Sequence, residues 1–165
     1  MADEKAKEAL DLNEIEPLPL DYIDFKISIK ARLKNLWQEN WETNNNPDAM
    51  FLYNIKPVIS EWKSSNKANR SEEIKITRLR LGTCLFNKKH HFSNEPHPIC
   101  NSCQIPISVQ HIIIDCPLYN NQRKPIIDYL RISNIPKSLP SILNDDFPHE
   151  ILFKYLKEIR YFEQI

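Results

Sequence analysis

The chain predicts a mostly α fold, a small helical domain carrying one cysteine-rich insert. Three observations carry that expectation. One glycine, Gly82, stands in 165 residues, where average usage of roughly 7% gives about a dozen. Twelve prolines and several Asn-rich runs supply the punctuation instead. Apolar residues recur at helical spacing near both ends. A β-rich fold needs corners with positive φ, which Gly supplies best and Asn only sometimes. The same scarcity excludes glycine-rich dinucleotide and phosphate loops. With 22 basic against 22 acidic residues, no global field draws the chain to nucleic acid or membrane. No apolar run approaches the ~20 residues of a membrane span, and the charged start resembles no secretory leader. An intracellular setting, nucleus or cytoplasm, is expected, with reduced cysteines.

Taken in order, residues 1–12 read as a short acidic helix. Residues 1–24 hold eight carboxylates against Lys5 and Lys7. Glu16-Pro17-Leu18-Pro19-Leu20 is an extended linker, because each proline disfavours helix before it. Residues 1–20 thus form a leading piece, and 21–165 the main domain. Asp21 is placed to cap a helix whose stripe is Phe25, Ile29, Leu33, Leu36, Trp37 and Trp41. Thr43 to Pro47 ends it. Residues 50–62 are apolar but ambiguous between strand and irregular packing, since Pro57 opposes a central strand. Ser71 is placed to cap a helix running to Gly82, a left-handed stop. Pro117 to Ile132 reads as helix, with Pro125 expected to kink or break it. Ser138 to Ser141 begins a short turn or helix. Asp146 and Pro148 then open a last amphipathic helix through Ile151, Leu152, Tyr155, Leu156, Ile159 and Phe162.

The insert, 97–117, carries the chemistry. Cys100-Asn101-Ser102-Cys103 is followed by His111 and Cys116, spaced C-x2-C-x7-H-x4-C. A C-x2-C turn delivers two thiolates from one knuckle, and a later His/Cys pair completes four tetrahedral donors for Zn2+. The insert is therefore zinc-knuckle-like. Residues five apart lie about 140° apart on a regular helix, so the helix carrying His111 must end or loosen before Cys116. Three buried thiols and a surface imidazole are the bland alternative. His97 is a spare donor, while Cys84, His90 and His91 read as packing or solvent-facing residues.

Residues 63–91 hold eight basic side chains against Glu72 and Glu73. Lys63, Lys67, Arg70, Arg78, Arg80, Lys88 and Lys89 are the candidate phosphate contacts, with Trp62 a candidate stacking platform. A solvated helix face paired with the acidic N-terminus is the alternative. No spacing marks a catalytic nucleophile.

Several stretches, in order, resemble the C-terminal region of jockey-like non-LTR retrotransposon polyproteins, downstream of reverse transcriptase and ribonuclease H. They are Leu36-Trp37-Gln38 with Trp41, Ile55-Lys56-Pro57 with Trp62, RLRLG at 78–82, CNSC…HIIIDCPLY at 100–119 with Arg123, and Tyr155-Leu156-Lys157-Glu158-Ile159. The likeness spans about 21–165. It departs at Thr83, where the family usually has histidine. Residues 2–7 resemble the last helix of a ribonuclease H domain, by which Asp3 is a relic of a metal-binding carboxylate. Two-metal cleavage needs several convergent carboxylates, and the remaining ones would lie upstream.

The resemblance implies a zinc-stabilised module that binds RNA or DNA and has no catalysis of its own. Two other readings remain open: a truncated, inactive ribonuclease H-type protein, and a structural tail docking on the upstream polymerase. No membrane partner is expected.

Overall fold

The computed structural model describes residues 21–44, 46–63, 69–93 and 95–165. The acidic stub and linker at 1–20, with Asp3, lie outside the described residues, as does Lys67. The chain forms two compact units, Met1–Leu36 and Trp37–Ile165. In the first, the described residues from Tyr22 onward are helical, within α1 (Tyr22–Thr43). Phe25, Ile29, Leu33 and Leu36 form the expected stripe but stay exposed.

The described regular structure of the second unit is helical. After α1 come α2 (Pro47–Ile55) and α3 (Arg70–Leu81), then the short α4 (Leu85–Lys88) and α5 (His90–Ser93). A π-helical turn (His111–Asp115) lies within the insert, and a 3-10 turn (Pro117–Tyr119) closes it. The chain closes with α6 (Asn120–Ile132), α7 (Leu139–Leu143), α8 (His149–Glu158) and a 3-10 turn (Phe162–Gln164). The described residues contain no strand, only an isolated antiparallel bridge between Ile99 and Pro106.

The helix stops are chemically legible. Asn69, not Ser71, caps α3: its Oδ1 accepts from Ser71 N at 3.0 Å and Glu72 N at 3.4 Å. Gly82 ends α3 at φ +67°, and Thr83 N donates to Arg78 O at 3.0 Å in a Schellman motif. The same closure recurs without glycine. Asn134 (φ +52°) follows α6 and Arg160 (φ +63°) follows α8, with Ile135 N on Leu130 O and Tyr161 N on Leu156 O.

Four further expectations need correction. The first part of the ambiguous 50–62 segment is helical, because Pro47 starts α2 and Asn46 O accepts from Met50 N at 2.8 Å. Pro125 does not break α6. It forfeits only the bond to Asn121, which is exposed to water, while Ile126 and Leu130 hold the helix to α8 by burial. Pro148, not Asp146, precedes the first residue of α8. That helix stops at Glu158, where Arg160 turns the chain and Phe162 packs back on Phe153 at 5.6 Å between ring centroids.

The core joins Ile76 and Leu79 of α3, Ile126 and Leu130 of α6, Ile142 and Leu143 of α7, and Leu152 and Leu156 of α8. Ile112 and Ile113 enter it from the π turn. Each such burial is worth about 1.5–3 kcal/mol. The insert is thereby anchored in the main core.

Candidate metal centre

The knuckle begins with a backbone clasp. Ile107 N donates to Pro98 O at 2.9 Å and Cys100 N to Ile105 O at 2.9 Å. The turn between them closes through Gln104 N on Cys100 O at 2.8 Å, with Gln104 at φ +55°. This fold-back puts Cys100 and Cys103 on one side.

The other half comes from the π turn. Ser108 Oγ accepts from His111 N at 3.0 Å, and Cys116 N donates to His111 O at 2.8 Å. A bond spanning five residues widens the turn. Cys116 is thus brought back beside His111, which a regular helix cannot do. Cys116 then takes extended backbone at φ −62°, ψ 117°, as a residue before proline prefers.

The ligand atoms of Cys100, Cys103, His111 and Cys116 all lie within 4.8 Å of one another, close enough to hold a metal ion. The Cys116 sulfur stands 3.8 Å from that of Cys100 and 3.9 Å from that of Cys103. His111 is 2% exposed, and both its ring nitrogens are buried without a hydrogen-bond partner. An orphaned imidazole in a buried site is costly, and a metal on one nitrogen would satisfy that atom. His111 holds the Cys100 thiol down at about 6, helped by the backbone N–H groups of Cys103 and Ser102. Burial pushes Cys116 up to about 11.

The spare histidines stand elsewhere. His97 is exposed, with Nδ1 3.0 Å from Pro98 O. The rings of His90 and His91 lie 4.1 Å apart between centroids and those of His90 and His97 4.4 Å apart, both pairs tilted. Cys84 is buried against the core, and its thiol is pushed up to about 12 by burial. Thiolates, not thiols, alkylate. After chelation under native conditions, iodoacetamide is expected to label Cys100 and Cys103 while sparing Cys84 until denaturant is added. Mass mapping that finds Cys84 modified alongside them contradicts this assignment.

No family model, curated protein or solved structure matches this chain. Its chemistry therefore has to be read from its own side chains.

The structure divides the basic set. Arg80 is 4% exposed. Its guanidinium donates to Leu143 O at 2.8 Å and meets Asp145 at 2.9 Å, so it is withdrawn from any phosphate. Trp62 is also committed: Lys56 Nζ lies 4.0 Å and the Arg80 guanidinium 3.7 Å from its ring centroid. Lys63 is exposed but pairs with Asp146 at 3.7 Å. Arg70 and Lys89 are exposed, and Lys88 is half-buried. Arg78 is exposed and donates to Ile165 O at 2.8 Å.

Arg78 and Lys88 share a concavity of about 450 Å³ with Thr83, Cys84, Leu85, His91 and Phe92. Among the described residues no acidic side chain lines it. Phe92 is 88% exposed. Sequence reasoning missed this ring, because local pattern does not separate a solvent-facing Phe from a core one.

Proposed function

We propose that this chain is a zinc-stapled helical module that binds single-stranded nucleic acid, of the kind that closes a non-LTR retrotransposon polyprotein. The sulfur spacing carries the metal reading. Zn–S bonds of about 2.3 Å in a tetrahedron put neighbouring sulfurs about 3.8 Å apart, which is the spacing found at Cys116. Three thiolates and an imidazole suit zinc, whereas magnesium and calcium prefer oxygen. Four protein ligands fill the shell, so the ion serves structure and leaves no open position for catalysis.

The acid-free concavity supports the nucleic-acid reading. Arg78, Lys88 and His91 offer positive or protonatable groups beside an exposed aromatic face. Basic residues around a stacking ring are the minimal equipment for a single strand. The order of motifs from Trp37 to Ile159 supports the retrotransposon origin.

Fluorescence anisotropy with labelled single-stranded RNA and DNA tests this. Affinity is expected to fall with salt, at a log–log slope of about −0.7 for each phosphate engaged. Lys88→Glu is expected to flatten that slope. Phe92→Ala is expected to cost about 1–3 kcal/mol for the base it stacks. A slope near zero, unchanged by Lys88→Glu, supports a tail that docks on the polymerase instead. On an RNA–DNA hybrid we expect no magnesium-dependent cleavage, and a robust signal favours the ribonuclease H reading.

A further inference from the structure

The fold buries two arginines and treats them differently. Arg80 has a carboxylate partner, Asp145. Arg123, on α6, is 1% exposed and takes part in none of the ion pairs of the described residues. Its Nη1 donates to Asn120 Oδ1 at 2.9 Å, and its Nη2 to Cys116 O at 2.8 Å and Ile112 O at 3.2 Å. Its Nε is buried with no partner.

A guanidinium does not shed its proton in a protein, and a buried charge without a counter-charge is expensive. Carbonyl dipoles solvate Arg123 but bring no net charge. The neighbouring group that does is the metal centre: three thiolates and a neutral imidazole around a divalent ion carry one net negative charge. Cys116 belongs to both: its side-chain sulfur joins the ligand set, and its backbone carbonyl accepts from Arg123 Nη2.

We infer that Arg123 is the buried counter-cation of the Cys3His centre, and that with Tyr155 it positions the π turn presenting His111 and Cys116. Tyr155 Oη donates to the same Ile112 carbonyl at 2.6 Å. Two helices, α6 and α8, thus converge on one carbonyl in the middle of the ligand-bearing turn. Arg123 touches no metal and acts only through the turn and the field. This inference rests on the metal reading, and wild-type protein that takes up no zinc or cobalt would end both.

The test compares zinc affinity of the full chain, by competition with a chromophoric chelator, in wild type, Arg123→Gln and Arg123→Lys. Gln keeps donors without charge, while Lys keeps charge without the fork. Arg123→Gln is expected to lose 10–100-fold in affinity, the usual effect of removing an outer-shell partner, and Arg123→Lys to stay close to wild type. Wild-type affinity in Arg123→Gln, or an equal loss in both variants, overturns the counter-cation role and leaves the metal reading standing. A second measurement covers failure of Arg123→Gln to fold. Cys103→His turns the centre into a neutral Cys2His2 site, so adding Arg123→Gln in that background is expected to restore zinc-loaded folding. A double variant that also fails to fold overturns the inference.

Discussion

Stripping the metal with a strong chelator is expected to lower the unfolding temperature of the purified chain by roughly 10 °C, with recovery on adding zinc. An ion that binds only the folded state and is present at about a thousandfold above its Kd supplies about 4 kcal/mol. For a chain of this size each kcal/mol is worth roughly 2–4 °C. The loss reaches the main core because Ile112 and Ile113, at 1% and 0% exposure, sit on the same turn as His111 and Cys116. Complete unfolding is not expected. Ile142, Leu143, Leu152 and Leu156 are fully buried on helices that lie outside the insert and pack on one another. Cys103→Ser is expected to reproduce the loss, and Cys84→Ser to leave the response to chelator intact. Calorimetry on a metal-free preparation that melts at the same temperature as the loaded one would refute the centre.

Asp145→Asn is expected to cost about 3–5 kcal/mol, the usual effect of leaving one partner of a buried ion pair uncompensated. The Arg80 and Asp145 side chains are only 5% and 11% exposed. Asp145 also accepts from Lys63 N at 2.8 Å, so one carboxylate fixes both Arg80 and the start of the basic segment. Burial lowers the pKa of Arg80 from its ordinary value and Asp145 opposes that, which marks a charge held in place by its partner. Asp128→Asn is the matched control. Its pair with Arg131 spans 4.0 Å with side chains 44% and 77% exposed, and exposed pairs of that kind contribute about 0–1 kcal/mol. Urea titration separates the two, and equal midpoints for both variants would show that Arg80 does not need its carboxylate.

Arg80 also shows where sequence reasoning failed. Counting charges between 63 and 91 placed it with the phosphate contacts. Helical period placed it otherwise, since positions 75, 76, 79 and 80 share one face and all four are buried. Ile76 and Leu79 mark that face as apolar, which was sufficient warning. Lys75 repeats the lesson, donating to Phe162 O at 2.6 Å with its ammonium 4.2 Å from the Phe162 ring centroid. Long cationic side chains bury their stems and find carbonyls or rings at the far end. Phe92 failed in the opposite direction, being an aromatic that nothing covers.

By itself the sequence determined the helical class, the stop at Gly82, and the four residues that cluster at the candidate metal centre, with the demand that the helix loosen before Cys116. Each depends on residues a few positions apart, where backbone geometry and side-chain reach leave little choice. Only the tertiary structure decided that the loosening is a π turn, that Arg80 faces Asp145 sixty-five residues away, and that Tyr155 reaches Ile112 across forty-three. Such partnerships depend on which helix faces meet once apolar surface is buried. Spacing along the chain encodes periodicity and stops, but says nothing of which distant charge a buried arginine will find.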